Sequence, residues 1–452
     1  MKVIHTDTIA AQATPPGRGG VAIVRVSGLR VKKIIPLLLQ CELPPRQATY
    51  TPFYDENDNV IDEGIALFFP NPHSFTGEDV LELHGHGGPV VVDLLLQRIL
   101  SLGIRLARPG EFSERAFLNG KIDLAQAEAI ADLIDASSEH AARLAMRSLQ
   151  GEFSREIKTL TEKVIHLRMY VEASIDFVDE EIDFLNDKNI VNSMEEIQQH
   201  LTAILQKAKQ GSFLREGITA VIAGEPNVGK SSLLNCLSGK EIAIVTNVPG
   251  TTRDVLRDYI LIDDMPMHII DTAGLRTSDD IVEQEGIRRA HHEMEKADLI
   301  LYVVDVNNYH SKNMKELELP EIVSSRPVIF VCNKIDLTNQ TPSSDSEQGH
   351  SVVYLSAKTG AGVDLLKQRI KSLVGFKQEE QGIFLARRRH LDALHRAHAH
   401  VKDALRQLSD RKAGELAAED LRLAQLALSE ITGEFTADDL LGRIFSSFCI
   451  GK

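Results

Sequence analysis

With 452 residues, 43% of them hydrophobic and 25% charged, the chain exceeds what one core organises and calls for two or three domains. A formal net charge of -15 argues against a nonspecific nucleic-acid coat, and neither an eighteen-residue apolar run nor a charged-then-apolar leader is present, so a cytoplasmic protein is expected. Four scattered cysteines, Cys41, Cys236, Cys332 and Cys449, form no CxxC pair, so reduced thiols are expected rather than a disulfide framework or a zinc site.

Residues 1–118 mix short apolar runs such as "VAIVRVSG" and "DVLELHGHGG" with Gly/Pro punctuation, which predicts strands joined by turns plus a helix around Val90 to Leu102. From Ile122 the pattern turns to Ala, Leu and Glu at helical spacing, so residues 119–216 read as long helices. From about Gly217 apolar, β-branched runs alternate with helical stretches, which suits a parallel sheet covered on both faces over 217–376. Helical character returns over 377–452. The economical arrangement is an α+β multidomain chain: an N-terminal α+β domain, and an α/β domain inserted between the two halves of a helical one. The stretch "TNQTPSSDSEQGHS" reads as a loop, and the basic run "ARRRHLDALHRAHAH" reads either as a phosphate contact or as the solvated face of a helix.

"GEPNVGKS", Gly224 to Ser231, has the form GxxxxGK[ST] between an apolar strand and a helix, the setting a phosphate loop requires. Its residues Asn227, Val228, Gly229, Lys230, Ser231 and Ser232 would surround the phosphates; Lys230 would reach the β and γ groups and Ser231 would give Mg²⁺ a hydroxyl. "DTAG", Asp271, Thr272, Ala273 and Gly274, ends another apolar strand, where the Asp can hold the metal through water. "NKID" supplies Asn333, Lys334 and Asp336, whose carboxylate can accept the N1 and N2 protons of guanine, a pair that adenine lacks. "SAK", Ser356, Ala357 and Lys358, closes the base pocket. Together the four motifs resemble the translation-factor class of Ras-like GTPases.

Between the phosphate loop and DTAG lies "TNVPGTTRD", where a first switch belongs: Thr246, Asn247, Val248, Pro249, Gly250, Thr251 and Thr252, with Thr252 the second Mg²⁺ hydroxyl. Leu275 follows DTAG, and leucine cannot orient water as the Gln of Ras-type enzymes does. Asn227 with a long first switch is similar to GTPases that recruit K⁺, which implies a K⁺ site of Asn227 and the carbonyls of Thr246, Val248 and Thr251. Glu283 then becomes the candidate for orienting water, against its default reading as a favourable charge at a helix start.

"ATPPGRGGVAIVRVSG", "FTGEDVLELHGHGGP" and "RPGEFSERAFLNGKIDLAQAEAIADLI", followed by the GTPase motifs and a terminal "FCIGK", resemble the MnmE (TrmE) family over essentially the whole chain. The resemblance implies a GTP hydrolase that adds a carboxymethylaminomethyl or aminomethyl group at C5 of the wobble uridine of certain tRNAs. It further implies a homodimer working with the flavoprotein MnmG (GidA) in a heterotetramer or larger complex, and a one-carbon unit from 5,10-methylenetetrahydrofolate or 5-formyltetrahydrofolate. The N-terminal domain would bind that folate and pair the subunits, with Arg25, Glu82, Lys121 and Lys452 on the folate; each is otherwise an ordinary surface charge. Cys449 would come beside the folate as a nucleophile or acid/base, or else it is a packing thiol. A ribosome-assembly GTPase, a GTP-controlled dimeric scaffold and a folate aminomethyltransferase with an acquired GTPase stay open as rivals.

Overall fold

The computed structural model describes residues 7–136, 138–176, 188–238, 258–263, 265–271, 297–311, 326–338, 340–347, 350–376, 383–409, 413–434, 438–446, 448 and 451. They fall into two compact units, one of Met1–Ala131, Arg147–Ile197 and Arg396–Lys452, the other of Asp132–Met146 and Gln198–His395.

The first unit opens with β1 (Ile9–Gln12), β2 (Gly19–Ser27), α1 (Val31–Leu39), β3 (Thr49–Tyr54), β4 (Val60–Phe69), β5 (Val80–Gly87), α2 (Pro89–Ser101), β6 (Arg105–Leu106) and α3 (Glu111–Leu118). The sheet order is β3-β4-β5-β2-β1-β6, antiparallel except where β1 meets β6. Alternation explains its two faces. Ala22, Val24, Val26, Leu81 and Leu83 turn inward onto Ile34, Leu38, Leu95 and Ile99 of α1 and α2, which leaves Arg25, Glu82 and His84 on the opposite face. The helix expected around Val90 to Leu102 is α2, with Pro89 in its first turn, where a missing N–H costs nothing. Sequence reading did not anticipate α1 or α3. In α1 the run VKKIIPLLL is short and holds Pro36, and its amphipathy shows only once Val31, Ile34, Ile35 and Leu38 face the sheet.

The chain continues through α4 (Leu124–Ile134), α5 (Glu139–Leu149), α6 (Glu152–Asp176) and α7 (Lys188–Glu216). The second unit then contributes β7 (Ile218–Ala223), α8 (Lys230–Ser238), β8 (Asp258–Ile262), β9 (Met265–Asp271), β10 (Leu299–Asp305), α9 (Val306–Ser311), β11 (Val328–Asn333), β12 (Ser343–Glu347), β13 (His350–Tyr354) and α10 (Val363–Val374). Its sheet runs β12-β13-β11-β10-β7-β9-β8, with β7, β9, β10, β11 and β13 parallel and the two edge strands antiparallel. Both faces are covered: Ile222, Val303, Val331 and Val353 pack on one side, Val221, Ile300, Val304 and Phe330 on the other. The stretch read as a loop contains β12, whose SSDSE lacks apolar alternation because the strand is held by its ladder to β13 and not by burial.

Among the described residues, three helices follow: α11 (Arg388–Ser409), α12 (Gly414–Thr432) and α13 (Asp438–Ser446). Phe153, Ile157, Leu160, Val164, Leu167 and Val171 form one buried stripe of α6, and Arg168 of the same helix donates to Gln425 of α12 at 2.8 Å. The basic run sits on and just before α11. Part of it serves packing: Arg387 donates to Asp132 at 2.7 Å, and buried His390 accepts the Arg387 backbone N–H at 3.1 Å. Among the described residues no helix is long and apolar enough to cross a membrane.

Candidate functional site

β7 delivers the chain to Gly224, whose φ of 139° favours glycine and whose absent Cβ would lie 2.2 Å from the Val303 carbonyl oxygen. The loop then turns through Asn227 at φ 62° and Gly229 at φ 100° and enters α8 at Lys230. Its side chain is folded inward, and Nζ donates to the carbonyls of Gly224 and Glu225 at 2.9 and 2.8 Å. Ser231 and Ser232 are exposed in the first turn of α8, where free backbone N–H groups suit anions. Asn227 is also exposed.

Asn333, buried at the end of β11, joins the two halves of the site. Its Nδ2 donates to the Val228 carbonyl at 2.8 Å, and its Oδ1 accepts the Ala357 N–H at 2.9 Å, so one amide fixes both the phosphate loop and the SAK loop. Lys334, held at φ 71°, reaches back to the Asn227 carbonyl at 2.8 Å and pairs with Asp305 at 2.9 Å. Burial pushes the Asp305 carboxyl up, but its bonds from Lys334 and Asn307 outweigh this and hold it below the usual range. Asp336 accepts the Ser356 hydroxyl at 2.6 Å, which fixes its carboxylate. Lys358 is exposed beside them.

Asp271 ends β9, opposite Ile222 of β7, so its backbone lies next to the strand that feeds the phosphate loop. The stretch Thr246 to Thr252, Thr272, Ala273, Gly274, Glu283, Cys449 and Lys452 lie outside the described residues. Sequence reading missed Asp305. Its signal is the acid that ends the apolar strand LILYVVD, one strand over from the phosphate loop.

On the outer face of the first unit's sheet, Arg25 and Glu82 are direct cross-strand partners, and Arg25 Nε donates to Glu82 Oε1 at 2.8 Å. The guanidinium carbon lies 5.6 Å from the Phe75 ring centre and 5.7 Å from that of Phe112. Arg25 Nη1 also donates to the Gly451 carbonyl at 3.5 Å, so Gly451 reaches this pair. Lys121 is tied separately, donating to the Pro72 carbonyl at 3.0 Å. Beneath them runs a charged network that the sequence did not announce. Buried Arg115 bonds to Asp7, Glu78 and Glu111, and Arg105 grips Glu111 with two bonds of 2.6 and 2.9 Å. Burial pushes the Glu111 carboxyl up, yet the bonds from Arg105, the Arg108 N–H and Arg115 hold it at about 2.

A phosphate loop braced by one asparagine to the NKID and SAK turns, on a largely parallel sheet covered on both faces, defines a P-loop GTPase of the Ras-like class. The family follows from two further matches: residues 124–449 fit the model described as the MnmE helical domain, and residues 8–121 fit that of the GTP-binding protein TrmE N-terminus. The chain belongs to the MnmE (TrmE) family. It is 59% identical to the tRNA modification GTPase MnmE of Erwinia tasmaniensis, over 99% of this chain and all of that one. With the protein of the same name from Coxiella burnetii it shares 58% identity over the full length of both. Among solved structures, the FeoB G-domain of Methanococcus jannaschii is 26% identical over 35% of this chain and 98% of that one, with a TM-score of 0.26.

Proposed function

We propose that this protein is a GTP hydrolase acting in tRNA modification, at C5 of the wobble uridine. The observation that supports the nucleotide half is the two hydrogen bonds that tie Asn333 to Val228 and Ala357 beside the Asp336–Ser356 pair, an arrangement in which the carboxylate suits a guanine edge. The tRNA half rests on family membership and on full-length relatives named tRNA modification GTPase. In this reading Lys230 leaves the Gly224 and Glu225 carbonyls for the β and γ phosphates, and the loop amides take the phosphate oxygens. Mg²⁺, held by Ser231 and Thr252, would neutralise developing charge; the exposed Ser231 hydroxyl in the first turn of α8 fits that role. K⁺ would lie by Asn227, whose side chain is exposed at the loop, with carbonyls of Thr246, Val248 and Thr251, and Glu283 would orient water.

The folate reading gains support from the Arg25–Glu82 pair, whose guanidinium lies near the rings of Phe75 and Phe112. A carboxylate suits the amino-pyrimidine edge of a pterin as it suits guanine, and the exposed Phe75 ring suits its flat face. Lys121 and Lys452 would hold the acidic tail, and the Gly451 carbonyl near Arg25 favours a role for Cys449 in one-carbon transfer. The bound folate would supply the one-carbon unit. We assign residues 1–118 to folate binding and dimerisation, 119–216 and 377–452 to the helical domain, and 217–376 to the GTPase, in a cytoplasmic homodimer that works with MnmG.

The test is nucleoside mass spectrometry of tRNA from cells lacking the protein, complemented with wild type, Glu283→Ala or Cys449→Ser, alongside GTP turnover in K⁺ and in Na⁺. Wild type alone should restore the modified uridine, with turnover dependent on K⁺ and slowed by the Glu283 change. A nucleoside profile indifferent to the gene overturns the reading, and Na⁺ turnover equal to K⁺ turnover removes the K⁺ site.

A further inference from the structure

We infer that His84, to which the sequence analysis gives no role, is a positioning residue for the Arg25–Glu82 pair and thereby sets folate affinity; the inference rests on the folate reading above. β5 alternation places His84 on the same face as Glu82, two residues along. Its Nε2 lies 3.4 Å from Glu82 Oε2, while Oε1 of the same carboxylate takes Arg25 Nε at 2.8 Å. An ionised carboxylate only accepts, so Nε2 carries the hydrogen and donates. The cross-strand neighbours of His84 are Ile23 on β2 and Ile65 on β4, both apolar, so Glu82 is its polar partner among the described residues.

The consequence concerns the donors of Arg25. A free carboxylate beside a guanidinium turns to take two parallel N–H bonds, because the fork-to-fork pair is the stronger geometry. Here the second oxygen is engaged by His84, and Glu82 meets Arg25 through Nε alone. Of the terminal nitrogens of Arg25, Nη1 donates to the Gly451 carbonyl at 3.5 Å and Nη2 stays available. His84 thus keeps the pair open for a ligand that needs both a guanidinium and a carboxylate.

The experiment titrates 5-formyltetrahydrofolate calorimetrically into the full chain, comparing wild type, Arg25→Ala, His84→Leu and His84→Gln, with melting temperatures as the check on folding. Leucine keeps the packing between Ile23 and Ile65 and removes the donor; the Gln amide restores an N–H. His84→Leu should weaken binding about tenfold and His84→Gln by no more than about twofold. His84→Met stands in if leucine unfolds the sheet. Wild-type affinity in the leucine variant, or equal losses in both variants, overturns the assignment of His84 alone. Absence of binding to wild type, or wild-type affinity in Arg25→Ala, overturns the folate reading and this inference with it.

Discussion

In the proposed reading, specificity for the base is decided at single atoms. Asp336 accepts the Ser356 hydroxyl through one oxygen at 2.6 Å, which sets the carboxylate plane and leaves the remaining lone pairs for a base edge. Guanine brings two donors to that edge, and a carboxylate is an acceptor throughout. Replacing Asp336 with Asn turns one acceptor into a donor and matches xanthine, which carries a carbonyl where guanine has its amino group. Asp336→Asn should lose GTP affinity by about a hundredfold and gain xanthosine triphosphate turnover, because buried recognition groups left unpaired cost far more than lost contact area. Competition binding with the two triphosphates checks this; unchanged GTP preference places the base elsewhere.

At the level of elements, α3 is held to the sheet by charge rather than by apolar burial alone. Arg105, the Arg108 N–H and Arg115 all bond to the Glu111 carboxylate, and Arg115 and Glu111 are both fully buried. The Glu111 pKa is lowered from 4.5 to about 2 in the folded chain, so the carboxylate stabilises the fold above the unfolded value and its contribution is lost as pH falls from about 4.5 to about 2. The contribution is on the order of 3 kcal/mol. Urea midpoints measured from pH 7 to pH 2 should fall over that window in wild type. In Glu111→Gln the unfolding curve should start lower at pH 7 and be flatter below pH 4.5; parallel curves for the two proteins would refute the anchor. This network also marks the limit of what the sequence disclosed. The phosphate loop, NKID and SAK were legible because backbone geometry fixes their spacing within one strand and turn. Asp7, Glu78 and Arg115 are distant in sequence, and only the packing of α3 on β1 and β2 brings them together. In the same way β12 leaves no signal because a polar edge strand has no apolar period, and the role of His84 lies in its contact with Glu82, which the stretch around it does not spell out.

Across the first unit, the chain end returns to the chain start, and glycine makes the return possible. Phe445 and Phe448 bury their rings with Leu124 and Ala127, and Phe117 stands 6.3 Å from the Phe445 ring. Gly110 lies under them at φ 66°, where an added Cβ would fall 2.4 Å from the Phe445 carbonyl oxygen and 3.0 Å from Phe448 Cβ. Beyond Phe448, Gly451 at φ 95° presses on β1, its absent Cβ only 2.2 Å from the Gln12 carbonyl oxygen, and brings its own carbonyl to Arg25. Two glycines thus admit the tail, one at the helix that anchors it and one at its tip. Gly110→Ala introduces both left-handed backbone strain and a backbone clash that cannot be relieved by a side-chain rotation. It should cost about 1–3 kcal/mol and lift the end of α13 off α3. The tail is then released while the nucleotide site, which lies in the other unit, keeps its own bonds. Limited proteolysis should trim the variant from its C-terminus faster than wild type, 5-formyltetrahydrofolate binding should weaken, and GTP affinity should hold. Equal trimming and equal folate affinity would mean that the tail is not needed to complete the site around Arg25.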